Sequence, residues 1–313
     1  MLKEKLLDPA SAVLLYGTTP PRAGSADAAV EAAADKLAAR LRALPIDGVV
    51  VYDIQDESGR VAVPRPFAFT GTVDPRSYAA LLAARTGKPA ITYKCVGTLD
   101  EPAWQAWLDE AAHKQVEFLS IVGRPTSGIR YPLPLSKAIR LATAHPAGFT
   151  VGGVAIAERH TAARSEAARL LAKGIEGCGY FISQTVYHAE ASVRLLADYA
   201  RDCRGAGVEP RRIVLSFAPV GREKTMAFLN WLGVRIPPDT SRAILDSAAP
   251  LRKSIEICRD NLRRILDQPY AREIPLGVSV ESVSINRDEI DASIELLQVL
   301  AEVLRDELRE APG

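Results

Sequence analysis

The sequence predicts a single-domain α/β fold over residues 1–313, a (βα)8 TIM barrel. Three observations predict it. Eight short β-rich apolar runs alternate with at least eight runs whose Ala and Leu positions recur at helical spacing. The stretch from Val151 to Glu190 is a strand, a helix and a second strand, the crossover unit from which parallel sheets are built. No linker, low-complexity run or shift in composition divides the chain. A doubly wound open sheet would ordinarily carry a glycine-rich turn after its first strand. Here that turn reads Gly17-Thr-Thr-Pro-Pro.

The predicted elements run in order along the chain. Ala12–Tyr16 is a short apolar strand, closed by a loop that Pro20 and Pro21 mark. Ser25 or Asp27 caps a helix through Leu44, and Asp47–Tyr52 is the second strand. A long connection with the acidic segment Asp53 to Glu57 then runs to Thr72, a length that is uncommon without a task. Helices near Pro75–Arg85 and Glu101–Lys114 enclose the strand Pro89–Lys94, and Val116–Val122 is the fourth strand. A helix through Ala142 precedes the strand Phe149–Ala157, the helix Thr161–Lys173 and the strand Tyr180–Gln184. A helix from Glu190 to Cys203, the strand Arg212–Ala218 and a helix from Gly221 to Leu232 come next. Ser241–Leu266 supplies one or two helices, and the strand Leu276–Ser282 leads to a final helix over Arg287–Glu310.

Composition excludes several classes of function. Lys and Arg number 39 against 38 Asp and Glu, so no global field draws the chain to nucleic acid or to an anionic membrane. No apolar run approaches the roughly 20 residues a membrane span needs, and the start, MLKEKLLDPAS, has no signal-peptide core, which points to the cytoplasm. The four cysteines, Cys95, Cys178, Cys203 and Cys258, lack metal-ligand spacing and read as buried free thiols. Apolar faces on the outer helices permit a homo-oligomer. Polar residues stand just after the two strands of the central unit, Glu158, Arg159 and His160 after one, Gln184, Tyr187 and His188 after the other. That end of a parallel barrel carries the chemistry.

Four places in the chain keep a common order and spacing: Pro20-Pro-Arg22; Glu158-Arg-His160 with Lys173 and Phe181-Ile-Ser-Gln184; Gly233-Val-Arg-Ile-Pro237; and Ser284-Ile-Asn-Arg287. On these the chain resembles the methylenetetrahydrofolate reductase family, flavin-dependent TIM barrels that reduce a folate-bound one-carbon unit with NAD(P)H. The resemblance implies 5,10-methylenetetrahydrofolate or 5-methyltetrahydrofolate as substrate, FAD as cofactor and NADH or NADPH as hydride source. It implies that Gln184 contacts the pterin, with Tyr187 and Asn286 as further substrate contacts. Tyr131, His160 and Lys173 fall where the family lines its flavin, and cations and hydroxyls there can meet phosphate and ribitol groups.

Two positions depart from the family. Its first strand carries a Glu three residues before the Pro-Pro pair, which delivers the proton that opens the folate ring to an iminium; here that position is Gly17. Its turn after the fourth strand holds an Asp near the flavin; here the turn brings Arg124, whose charge would favour a reduced, anionic flavin. A substitute acid must come from a strand flanking the first. Asp53, Asp56 and Glu57 follow the second strand and Glu281 ends the eighth, and Glu57 or Asp56 is favoured. A similar acidic segment occurs in an actinobacterial branch of the family that works without flavin. Two other readings stay open: a folate- or flavin-binding accessory subunit without turnover, and a barrel enzyme acting on an unrelated substrate.

Overall fold

Both faces of a barrel strand are covered, one by the barrel interior and the other by helices, so these strands read as apolar runs rather than as alternating ones. The structure, a computed structural model, describes residues 1–56, 63–123 and 132–310. Eight parallel strands close into a ring: β1 (Val13–Thr18), β2 (Gly48–Val51), β3 (Ala90–Cys95), β4 (Phe118–Val122), β5 (Thr150–Ala155), β6 (Tyr180–Thr185), β7 (Arg212–Phe217) and β8 (Leu276–Glu281). β1 closes the ring by pairing with β8 as well as β2, which sets Gly17 opposite both Val50 and Glu281. The predicted fold class is the observed one.

Around the sheet lie α1 (Leu2–Leu7), α2 (Asp27–Leu41), α3 (Pro75–Thr86), α4 (Glu101–His113), α5 (Leu135–Thr143), α6 (Glu166–Ile175), α7 (Ala189–Ala206), α8 (Glu223–Trp231), α9 (Pro238–Leu245), α10 (Pro250–Leu266) and α11 (Arg287–Glu310). Local chemistry sets their ends. Asp74 accepts the Arg76 amide ahead of Pro75, and Gly87 at φ 66° stops the same helix. Ser165 accepts the Ala168 amide, which starts α6 five residues later than its apolar spacing suggested. Pro250 begins α10, so the segment after Ser241 holds two helices.

α1 is the element that sequence reading missed. Leu2 and Leu6 enter the barrel from its N-terminal end and join the interior cluster of Val13, Leu15, Val50, Ile91, Phe118, Tyr180, Ile182 and Val214. Buried Arg212 holds this plug by donating to the Leu6 carbonyl at 3.2 Å, and Lys5 pairs with Asp47 at 2.6 Å. A second, larger apolar layer fills the space between sheet and helices. The four cysteines are buried free thiols, and no helix among the described residues is long and apolar enough to cross a membrane.

The connection after β2 reaches well beyond its own neighbours. Its backbone pairs with the loop after β1, through Val73 to Pro21 and Ala23 to Gly71. Farther along, the Arg65 guanidinium stands 5.1–5.4 Å from the ring centroids of Phe69, Phe228 and Trp231, and the Trp231 indole donates to the Val63 carbonyl at 3.1 Å. Since β1 and β8 separate β2 from β7, this strap passes the C-terminal ends of both strands to reach α8.

Candidate functional site at the barrel mouth

The site begins with a glycine. A Cβ at Gly17 would lie 2.9 Å from the Tyr52 hydroxyl, 3.0 Å from its ring and 3.1 Å from the Glu281 Cβ. The space that a side chain on β1 would use is therefore filled from both flanking strands, by Tyr52 just past β2 and by Glu281 at the end of β8. The three residues are coupled, because a side chain at position 17 and this placement of Tyr52 and Glu281 exclude each other.

Glu281 receives hydrogen bonds from Thr185, at 3.2 Å, and from Tyr52. Burial raises its proton affinity above the ordinary carboxyl value, and those two donors oppose the rise without cancelling it. The Tyr52 hydroxyl is held protonated, through burial first and then the neighbouring Glu281 charge. Its ring meets Tyr93 edge-on at 4.8 Å, which fixes its orientation. The result is a carboxyl group at the barrel mouth whose proton affinity burial raises above the ordinary value, the direction a general acid needs.

Thr185 reaches Glu281 through an irregularity in β6. The pairing with β7 shifts register between Ile182 and Thr185. Within that bulge the Ser183 hydroxyl accepts the Ser216 amide at 2.9 Å and donates to the Gln184 carbonyl at 2.7 Å. The extra residue re-aims the side chains beyond it, as bulges beside functional sites commonly do. Gln184 itself donates its amide to the Leu232 carbonyl at 3.0 Å, at the end of α8.

The structure brings together only part of the predicted set. Glu281 is at the mouth, and Gln184 is at the rim beside it. Asp56 is exposed on the strap. Glu57, Arg124 and Tyr131 lie outside the described residues. Tyr187 is 2% exposed, and its hydroxyl donates to the Ala218 carbonyl at 2.6 Å and meets Ser254 at 2.8 Å, tying the end of β7 to α10. Asn286 donates to Glu289 at 3.1 Å within a buried knot that also takes Thr225 and the Gly221 amide. These two are scaffold contacts, made because the loops after β6 and β8 must be fixed to the helices beyond them. Tyr52 and Thr185 went unnoticed; the alternation Gly48, Val50, Tyr52 was the available signal for the first, whereas the bulge hid the second.

Of the residues expected around a flavin, His160 and Lys173 are the two among the described residues. His160 uses both ring nitrogens, taking the Glu166 amide at 3.2 Å and meeting Asp198 at 2.8 Å. Lys173 lies between α6 and the sheet, its amine donating to the Val154 carbonyl and standing 5.1 Å over the Phe181 ring. Both are engaged by the scaffold, so the two of them do not fit the role of holding FAD.

No protein-family model matches the chain, and no curated protein does. Among solved structures, DmoA from Hyphomicrobium sulfonivorans is 11% identical over 94% of this chain and 88% of its own, at a TM-score of 0.50, a likeness of fold alone. A far stronger likeness is to an uncharacterized protein from Clostridium thermocellum that binds two copies of 5-methyl-5,6,7,8-tetrahydrofolic acid. The two are 30% identical over 96% of this chain and 99% of that one, with a TM-score of 0.82. Sharing so much sequence along nearly the full length of both barrels, this chain belongs to the family of the Clostridium thermocellum protein.

Proposed function

We propose that the chain binds a reduced folate at the barrel mouth and moves a hydride between a nicotinamide and the one-carbon unit on the folate N5, with Glu281 handling the proton. The observation that carries this reading is the Glu281 carboxyl, raised in proton affinity and standing over a β1 position that has no side chain. The 5-methyltetrahydrofolate bound by the Clostridium thermocellum relative supports a reduced folate as the ligand.

In the reductive direction the Glu281 proton goes to the ring nitrogen that leaves the 5,10-methylene bridge. The carbon–nitrogen bond breaks toward that nitrogen and leaves an iminium at N5. The hydride then adds to the exocyclic carbon, which becomes the methyl group as the nicotinamide is oxidised. Glu281, now a carboxylate held by Tyr52 and Thr185, recovers its proton from solvent. Every step reverses for oxidation of 5-methyltetrahydrofolate.

The test is to mix the protein with 5,10-methylenetetrahydrofolate and NADH or NADPH, then the reverse pair, following nicotinamide absorbance and separating the folates. Folate-dependent nicotinamide turnover with interconversion of the methylene and methyl forms is expected. Saturable folate binding without conversion in either direction, with or without added FAD, overturns the redox step. That outcome would leave the second reading, a folate-binding barrel without turnover, which the missing acid at position 17 favours.

A further inference from the structure

A second recess lies outside the barrel ring, a cleft of about 820 Å³ walled by the loop between β5 and α6, the first turns of α7 and the segment around Arg235. Its volume falls within the range of small-molecule sites. Its chemistry is divided. At one wall, Glu158 accepts the Arg235 amide on one carboxylate oxygen at 3.4 Å, while its other oxygen is buried and has no partner. Beside it, the Nδ1 atom of His188 is likewise buried without a partner. Buried polar atoms are rarely left so, and a water or a ligand group would satisfy each.

Toward solvent the same cleft is lined by Arg164, Arg194 and Arg235, all exposed. None of the three has a carboxylate within ion-pair distance among the described residues, whereas the cleft's Asp198 is already engaged by His160 and Arg201. The recess thus offers an acceptor for adjacent N–H donors at one end and guanidinium groups for carboxylates at the other.

Resting on the reduced-folate reading, we propose that this cleft is a second reduced-folate site, with the 2-amino-4-oxo edge of the pterin on Glu158 and the glutamate tail on Arg164, Arg194 and Arg235. That edge presents an amino group and a ring N–H side by side, the pattern a carboxylate accepts. The tail carries two carboxylates, which match unpaired arginines. The Clostridium thermocellum relative binds two copies of 5-methyl-5,6,7,8-tetrahydrofolic acid, and a recess with these two ends would give this chain room for a second.

The experiment is calorimetric titration of the full-length protein with 5-methyltetrahydrofolate, comparing wild type, the double variant Arg194→Glu/Arg235→Glu, Glu158→Gln and Glu281→Gln. All three cleft substitutions replace exposed or partly exposed side chains, and thermal melts check that each variant is folded. Wild type is expected to bind two molecules per chain in two classes. The double variant and Glu158→Gln should each weaken one class by about tenfold or more, as loss of a charge-assisted contact does, and leave the other class unchanged. Glu281→Gln should alter only the class that the cleft variants spare. A wild type that binds a single molecule, lost in Glu281→Gln, overturns the second site while the folate reading stands. Two classes both indifferent to the cleft variants, or a cleft class displaced by NADH alone, also overturn it. Absence of any folate binding overturns this site and the folate reading together.

Discussion

At position 17 a single missing side chain decides what the site can be. A glycine in a strand interior weakens the strand, so it persists where a neighbour needs the space, and here two neighbours do. Placing a methyl group at Gly17 forces Tyr52 or Glu281 to shift, since contacts of 2.9–3.1 Å are below ordinary packing distance. Gly17→Ala should therefore cost about 1–3 kcal/mol of stability, as overpacking does, measured by denaturant unfolding. An unchanged midpoint would show that the two side chains move aside freely. Gly152 is a parallel case lower in the barrel, where a Cβ would lie 2.3 Å from the Tyr180 ring. In the sequence Gly17 read as the first residue of the turn after the first strand and Gly152 lay inside the fifth, and the ring or carboxyl that required each came from another strand. A missing side chain names no partner. For the same reason Glu281 stood in the sequence as one of four acids, with Asp56 and Glu57 preferred to it, and only the closed ring placed it over Gly17.

At the scale of elements, the interface between α6 and the sheet carries a titratable group. Lys173 is pulled down from 10.5 to about 8, by burial first, with the nearby Glu166 opposing. Between those two values the unfolded chain holds a proton that the folded chain has lost, so this contribution to stability rises with pH through that window and falls away below it. Relative to Lys173→Met, the wild type should gain about 1–3 kcal/mol between pH 8 and 10.5, read from unfolding curves across that range. Parallel curves for the two proteins would place the amine in water. Strand and helix existence was legible from periodicity, and most boundaries fell within a few residues. The misses have local causes. The α1 plug is six residues long, too short for a periodic signal. The roles of Tyr187 and Asn286 depend on hydrogen bonds to residues over thirty positions away or to a buried Glu289 that nothing in their own neighbourhood announces.

For the whole molecule, the barrel separates stability from chemistry between its two ends. Arg212 and α1 close the N-terminal end with an apolar plug. The C-terminal end gathers Tyr52, Thr185, Gln184 and Glu281, and the strap held by Arg65 ties the loop after β1 to α8. Fold class was legible because eight alternating units leave few topologies. The site was half legible, because residues at strand ends can be enumerated from sequence but their convergence depends on closure of the ring. On the proposed function, Glu281 has taken over the acid's position at the mouth. The measurement that tests this most directly is single-turnover conversion of 5,10-methylenetetrahydrofolate by Glu281→Gln beside wild type, with folate affinity measured on both. Loss of about 10²–10⁴ in rate at saturating folate, beyond any change in affinity, is the expected result, the size of a general-acid contribution. An undiminished rate in Glu281→Gln would contradict the account and move the acid elsewhere.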